Sequence, residues 1–176
     1  MLQPAIERLR SQVGQAIGTS PWLVIDQARI DAFAQATNDP DPMHVDPDWC
    51  RRESPFKTTI AFGFLTVAML THLSHEALGW INSTGADDGG YALNYGFNRL
   101  RLVEPVPVNS RIRAHFTLLG FAEVRPDEFK TTYGVTVEIE GRERPALVAE
   151  WLGMWVSGAG HQRIIAKQTA NQRPPS

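Results

Sequence analysis

The chain has 176 residues, of which 43% are hydrophobic and 20% charged, as is typical of a soluble globular protein of one domain. A formal net charge of -2 gives no electrostatic reason to expect binding to nucleic acid or to an anionic membrane. One cysteine excludes an intramolecular disulfide, and no apolar run approaches the roughly 18 residues that a membrane helix needs. We therefore expect a cytoplasmic protein, with no membrane segment and no apolar signal core in its first 20 residues.

The first elements alternate between helix and strand. Residues 4–14 place apolar side chains at helical spacing, which predicts a short amphipathic helix as an N-terminal extension. The stretch WLVI at 22–25 predicts a brief strand. Asp26 then stands where an N-cap is expected, before a second helix whose apolar residues share one face.

A loop rich in proline follows the second helix. It reads NDPDPMHVDP from Asn38 to Pro47, with three prolines in ten residues. Because proline lacks an N–H and restricts the backbone, we expect a rigid loop here rather than a helix or strand. Asp46 and Pro47 resemble an N-cap and a first-turn proline, which predicts a short helix that ends by Pro55.

The next element is predicted to be a long helix over residues 60–81, capped by Thr58 or Thr59. Its first half is apolar on every side, so we expect it to be buried inside the protein. Its second half becomes amphipathic. The segment NSTGADDGG at 82–90 has the composition of a flexible loop.

After this loop the hydrophobic period changes from helical to two. Alternating apolar residues predict four strands, around 100–102, 112–118, 133–139 and 148–156, separated by turns containing proline, glycine, asparagine or aspartate. One buried helix followed by long antiparallel strands indicates an α+β fold in which a sheet wraps around the helix. The polar tail at 158–176 is expected to be frayed.

Asp39 and His44 are the first candidate site residues, because they lie five positions apart on the rigid loop. A carboxylate and an imidazole held on one turn can bind a water molecule from two sides and exchange protons with it. The spacing alone is not specific. An aspartate before proline is also a common turn residue, and a histidine in a loop is often a hydrogen-bonded surface group.

The long helix carries two further candidates. Gly63 lies near its N-terminus, where unpaired N–H groups could bind a thioester oxygen and where glycine allows close approach to the backbone. Close packing of helix against strand explains the glycine equally well. His72, His75 and Glu76 share a later face of the helix, but the spacing matches no strong metal motif and we expect no metal site.

Two separate stretches resemble one known family. FAQATNDPDPMHVDP, followed by TIAFGFLTVAML, is similar to the MaoC-like dehydratases, the group of (R)-specific enoyl-CoA hydratases. The matching positions of the loop are Phe33, Thr37, Asp39, Pro42, Met43, His44, Asp46 and Pro47. Farther on, LNYGFNRLRLVEPVPVNS resembles the branch that includes nodulation protein N, with matches at Leu93, Asn94, Tyr95, Gly96, Asn98, Arg99, Pro105, Val106, Pro107 and Val108. The resemblance covers roughly residues 25–157.

This resemblance implies a hot-dog fold and a single domain over residues 1–176. It implies hydration of 2-enoyl thioesters to (R)-3-hydroxyacyl thioesters, or the reverse reaction, without metal or cofactor. Asp39 and His44 would hold the catalytic water, and Gly63 would donate its N–H to the thioester oxygen. Thr71 and Asn94 are further candidates for substrate binding. The partners implied are an acyl-CoA or acyl-carrier-protein thioester and a second copy of the chain, in a homodimer with the substrate tunnel at its interface.

Three positions depart from the family pattern. Asn38 replaces a glycine, Asp41 replaces an asparagine, and Phe62 replaces a histidine. Two other functions are therefore kept as alternatives: a hot-dog thioesterase, and an acyl-thioester binding protein without catalytic activity. A thioesterase typically carries a carboxylate on or beside the central helix. From Ile60 to Gly79 the acidic residue is Glu76, near the far end.

Overall fold

The computed structural model describes residues 2–79 and 90–171. The helices of this part are α1 (Leu2–Ser11), α2 (Gln27–Thr37), α3 (Pro42–Val45), α4 (Pro47–Glu53), α5 (Gly63–Leu78) and α6 (Gly158–Asn171). The strands are β1 (Ala16–Thr19), β2 (Leu23–Ile25), β3 (Tyr91–Leu102), β4 (Ser110–Arg125), β5 (Glu128–Ile139) and β6 (Leu147–Val156). Except for Gly90, the loop predicted at 82–90 lies outside the described residues.

All six strands form one antiparallel sheet in the order β1-β4-β5-β6-β3, with β2 also paired to β4. The long strand β4 pairs with β1 near its middle, where Thr19 faces His115, and with β2 near its start, where Ile25 faces Ser110. The brief strand predicted at 22–25 and the four later strands are confirmed, although β3 begins at Tyr91, well before the predicted 100–102. Strand β1 was not predicted from its short sequence AIGT.

The core lies between the sheet and α5. Alternate residues of β4, β5 and β6 are buried on one face of the sheet, as the period of two predicts. The side of α5 that is buried within this chain carries Leu65, Thr66, Leu70, Leu73 and Ser74. On another side of the same helix, Phe64 is 71% exposed. The α+β architecture expected of a hot-dog fold is therefore present, with α5 covered by its own chain on one side.

Asp26 is the N-cap of α2, as predicted, and its Oδ1 accepts a hydrogen bond of 2.9 Å from the N–H of Arg29. The start of α5 differs from its prediction. The helix begins at Gly63 with Phe62 in the N-cap position, so neither Thr58 nor Thr59 caps it. The hydroxyl of Thr59 instead donates to Oε1 of Gln27 at 2.6 Å.

Both ends of the chain correct the sequence-based boundaries. The first helix ends at Ser11 rather than at 14, before a turn in which Gly14 has a φ of 87°. The tail at 158–176 was predicted to be frayed, but its residues 158–171 form α6, and the rest lies outside the described residues. Ser157 stabilises its first turn by accepting from the N–H groups of Gly160 and His161, and Arg163 forms an ion pair with Asp127. Among the described residues, no helix combines the length and apolar character needed to cross a membrane.

Candidate active site

Asp39 follows directly from the end of α2. Asn38 is the C-cap of that helix and has left-handed backbone angles, φ 55° and ψ 38°. Asparagine tolerates this conformation better than most residues, so it can replace the glycine of the family pattern. The N–H of Asp39 then donates to the carbonyl of Ala34 at 3.0 Å, and its Oδ1 accepts from the N–H of Asp41 at 3.3 Å. These bonds hold an exposed carboxylate at the end of a helix.

The proline-rich loop contains a short helix, α3, which contradicts the prediction that it would be free of helix. Asp41 caps α3 by accepting from the N–H of Met43 at 2.8 Å, and Pro42 occupies the first turn, where its missing N–H costs nothing. Asp46 caps α4 in the same way, as predicted. Asp41 therefore performs a capping role that the family's asparagine could equally perform.

Cys50 packs beneath α3. Its side chain is fully buried, and its Sγ donates to the carbonyl oxygens of Pro42 and Met43, each at 3.4 Å. Burial raises the pKa of the thiol, and the charge of Asp46 raises it further. The residue is therefore a protonated thiol that supports α3.

His44 lies on α3 and is half-buried. Its Nδ1 is 2.7 Å from the carbonyl oxygen of Ile60, and since a carbonyl can only accept, Nδ1 carries the proton. In the neutral imidazole Nε2 is then the nitrogen without a proton, and it has no hydrogen-bond partner among the described residues. The structure thus presents an imidazole that can accept a proton.

Phe62 fixes the plane of this ring. Its phenyl centroid lies 3.8 Å from that of His44 with an angle of 32° between the planes, and it also contacts Phe33 at 5.2 Å. At the position where the family pattern has histidine, this chain therefore has an aromatic wall beside the imidazole.

Gly63 is the first residue of α5, and no side chain caps the helix. The N–H groups of its first turn are therefore available to a ligand oxygen. A Cβ at this position would lie 2.3 Å from Cδ1 of Leu102 on β3. The glycine thus serves close packing against β3, and the same lack of a side chain leaves the helix N-terminus accessible.

Thr71 and Asn94 contact each other rather than the loop. Nδ2 of Asn94 donates to Oγ1 of Thr71 at 3.4 Å. Thr71 is eight residues beyond Gly63, which corresponds to about 12 Å along a helix. The two residues named from separate stretches of sequence are therefore neighbours, two helical turns from the N-terminus of α5.

The later face of α5 has no metal-binding character. His72 and Glu76 are exposed and His75 is half-buried. Within residues 2–79 and 90–171, no group of three or more histidine, cysteine, aspartate or glutamate side chains could hold a metal ion.

Gln27 and Thr59 are near the site and were not identified from the sequence. Nε2 of Gln27 donates to the carbonyl of His44 at 2.8 Å, and its Oε1 accepts from Thr59. The residues are 32 positions apart, and no motif links a glutamine at the start of one helix to a threonine before another.

A cavity of about 500 Å³ lies against the loop, lined by Asp31, Ala34, Gln35, Asn38, Pro40 and Val45. Two of these residues, Asn38 and Pro40, flank Asp39. A larger hollow of about 950 Å³ lies on the outer face of the sheet, along β3 to β6. Since its lining includes neither the loop nor α5, we assign the candidate site to the loop.

Comparisons with known sequences agree on one family. The family model described as "MaoC like domain" matches residues 8–139. Nodulation protein N of Rhizobium meliloti (strain 1021) is 40% identical over 154 residues, which cover 88% of this chain and 92% of that protein. The 3-hydroxyacyl-thioester dehydratase Z of Mycobacterium tuberculosis (strain ATCC 25618 / H37Rv) is 38% identical over 153 residues, covering 87% and 97%.

Solved structures agree on the fold. The monoamine oxidase regulatory protein from Archaeoglobus fulgius superposes with a TM-score of 0.68 at 21% identity, covering 83% of this chain and 91% of that one. The (R)-hydratase from A. caviae involved in PHA biosynthesis superposes with a TM-score of 0.62 at 19% identity, covering 79% and 95%.

Proposed function

This chain belongs to the MaoC-like domain family, and from that premise we propose that it is a hydro-lyase that adds water to, or removes water from, the 2,3 double bond of an acyl thioester. One observation supports the proposal above the others. His44 carries its proton on Nδ1 through the bond to Ile60, which leaves Nε2 able to accept a proton on the same loop as the carboxylate of Asp39.

In the hydration direction, the thioester oxygen binds the N–H of Gly63 and the positive end of α5. His44 and Asp39 hold one water molecule and take a proton from it while its oxygen bonds to C3. The π electrons move toward the carbonyl, and the proton taken from water is returned to C2. Water is thereby added in full as OH at C3 and H at C2, and no redox equivalent is needed.

The substrate is proposed to be an acyl-CoA or acyl-carrier-protein thioester, and the product of hydration the (R)-3-hydroxyacyl thioester. The similarity to a 3-hydroxyacyl-thioester dehydratase supports this substrate class. Thr71 lies too far along α5 to bind the same carbonyl as Gly63, so we place Thr71 and its neighbour Asn94 of β3 along the bound chain of the substrate.

We also propose a homodimer. Two contacts join α5 to β3: Gly63 lies against the side chain of Leu102, and Thr71 accepts a hydrogen bond from Asn94. Within the described residues β3 pairs only with β6, and large exposed apolar side chains collect along this edge, namely Phe64, Leu93, Tyr95, Phe97 and Leu102. A second copy would cover them.

The test is hydration of crotonyl-CoA, followed by loss of enoyl-thioester absorbance, in wild type, Asp39→Asn and His44→Ala. We expect turnover in the wild type and a decrease of roughly 10²–10⁴-fold in each variant, the usual contribution of one acid–base group. Asp46→Asn is the matched control, because asparagine also caps a helix and the activity should be kept.

Other results would favour other functions. Release of free CoA thiol without a hydroxyacyl product would indicate a thioesterase. Binding of acyl-CoA without any absorbance change, with crotonyl and longer chains alike, would indicate a binding protein. Near-normal turnover in a folded Asp39→Asn/His44→Ala double variant would exclude the mechanism.

A further inference from the structure

The orientation of His44 depends on a carbonyl from a different part of the chain. Its acceptor, Ile60, is sixteen residues farther along, in the segment between α4 and α5. The geometry of this hydrogen bond is therefore set by how firmly α3 and that segment are held together. One backbone bond joins them directly, from the N–H of Ile60 to the carbonyl of Met43 at 3.3 Å.

A side chain of α2 also connects α3 with the segment before α5. Gln27, the first residue of α2, donates through Nε2 to the carbonyl oxygen of His44 at 2.8 Å. Its Oε1 accepts from the hydroxyl of Thr59 at 2.6 Å. Thr59 directly precedes Ile60 and is 1% exposed. The side-chain amide of Gln27 thus binds both the backbone carbonyl of His44 and the hydroxyl of Thr59, the residue next to Ile60.

The side-chain amide of Gln27 can make these hydrogen bonds in one orientation only. The second proton of Nε2 is donated to Oδ1 of Asp31 at 2.8 Å. Turning the amide over would place its oxygen against two acceptors, the carbonyl of His44 and the carboxylate of Asp31. Three partners therefore fix the side chain of Gln27, and the network is independent of any substrate.

We propose that Gln27 is a positioning residue for the hydration reaction. It keeps the Nδ1–H of His44 bonded to Ile60 and so keeps Nε2 available for the water proton, without itself contacting the reacting atoms. This inference rests on the proposed function.

The kinetic test uses Gln27→Ala, Gln27→Glu and Thr59→Val, with Ala32→Ser as a control at an exposed position of the same helix that does not line the cavity. We expect kcat for crotonyl-CoA to decrease by roughly 10- to 100-fold in the first three, since small misplacements of a catalytic group have effects of this size. KM should change little. Glutamate keeps the acceptor for Thr59 but loses both donors, so it should not restore the rate. The double variant Gln27→Ala/Thr59→Val should be no slower than the slower single variant, because both substitutions break the same connection.

A second readout does not depend on turnover. Long-range ¹H–¹⁵N spectra report which ring nitrogen of His44 carries the proton, with its signals identified by their absence in His44→Ala. We expect the Nδ1–H form in the wild type and in Ala32→Ser, and a mixture of tautomers in Gln27→Ala and Thr59→Val.

The possible failures are distinguishable. If the wild type hydrates and Gln27→Ala keeps kcat within about twofold with an unchanged ring spectrum, the positioning role is excluded and the proposed function stands. If the wild type does not hydrate any enoyl thioester, the proposed function fails, and the spectra still decide whether Gln27 orients the ring. Should Gln27→Ala not fold, Thr59→Val, which preserves side-chain volume, gives the same decision.

Discussion

The two candidate acid–base residues are held in different ways. His44 is fixed through Nδ1, through the face of its ring against Phe62 and through its own backbone carbonyl. Asp39 is exposed and held mainly through its backbone, at the end of α2. The imidazole is thus restrained in advance, while the carboxylate can adjust to a bound water molecule. This division suits a site in which proton transfer needs one fixed group and one adaptable group.

At Gly63, packing and ligand binding can be separated by mutation. An alanine there would place its Cβ against Leu102, whose side chain is 48% exposed and able to move, so the fold should survive. We expect Gly63→Ala to lower hydration of crotonyl-CoA on the order of 10²-fold, because the methyl group displaces the thioester oxygen from the helix N-terminus.

Leu102→Ala and the double variant Gly63→Ala/Leu102→Ala complete this experiment. If the glycine serves ligand approach, activity stays low in the double variant. Recovery to the level of Leu102→Ala would show instead that contact with β3 was the whole reason for the glycine.

At the scale of elements, β4 and β5 are joined by a charged ladder on the outer face of the sheet. Glu138 accepts from Nε of Arg113 at 2.7 Å and from Nε2 of His115 at 2.8 Å. Arg113 also lies over the ring of Trp22 at 4.4 Å. The hydrogen bonds from Arg113 and then from His115 hold the pKa of Glu138 below its ordinary value.

This ladder predicts a dependence of stability on pH. A carboxylate whose pKa is lowered on folding stabilises the fold above its unfolded pKa, and this contribution is lost as pH falls through the lower, folded value. Glu138→Gln should therefore reduce the free energy of unfolding at neutral pH by about 1 kcal/mol or less, since the pair is partly exposed. Below the folded pKa of Glu138 the variant and wild type should converge.

Urea denaturation at both pH values measures the difference. Glu140→Gln serves for comparison, because Glu140, in the turn directly after β5, makes one ion pair among the described residues, with Arg111. A stability difference for Glu138→Gln that persists unchanged in acid would contradict the assignment.

The sequence predicted many of the features that depend on residues close to one another in the chain. The caps at Asp26 and Asp46 were correct, and so was the period of two in β4, β5 and β6, whereas the burial of β3 does not alternate. Helix α3 was missed because the prolines were taken to exclude helix, although Pro42 stands in a first turn, where proline is tolerated.

Features that depend on tertiary contacts could not be predicted from the sequence. Thr59 has the residue type of an N-cap, but its hydroxyl bonds Gln27 instead, and α5 begins four residues later at Gly63. The catalytic candidates Asp39 and His44 came from a motif, whereas the residues that orient His44 come from separate segments. Only the fold brings Gln27, Thr59 and Ile60 together.

At the scale of the whole molecule, the exposed apolar edge formed by α5 and β3 predicts a dimer. Light scattering after gel filtration should give about twice the chain mass of 19.6 kDa. Replacing Tyr95 and Phe97 together by lysine should yield monomers with reduced hydration activity, because two exposed apolar side chains of the edge become charged.

Val24→Lys is the control, since Val24 is an exposed apolar residue on β2, remote from β3 in the strand order, and this variant should stay dimeric. A wild type that elutes as a monomer at high concentration would contradict the dimer.

Strand β3 is irregular in its pairing with β6. The register shifts between Asn94 and Gly96 and again between Phe97 and Arg99, and Gly96 has a φ of 147°. Such bulges bend a strand and increase its twist. A straight strand from an unrelated or partly folded chain would therefore find few consecutive backbone groups in line with it. The two irregularities thus hinder the addition of further strands to this exposed edge and protect the chain against aggregation through β3, while the apolar side chains that the proposed dimer would cover are kept.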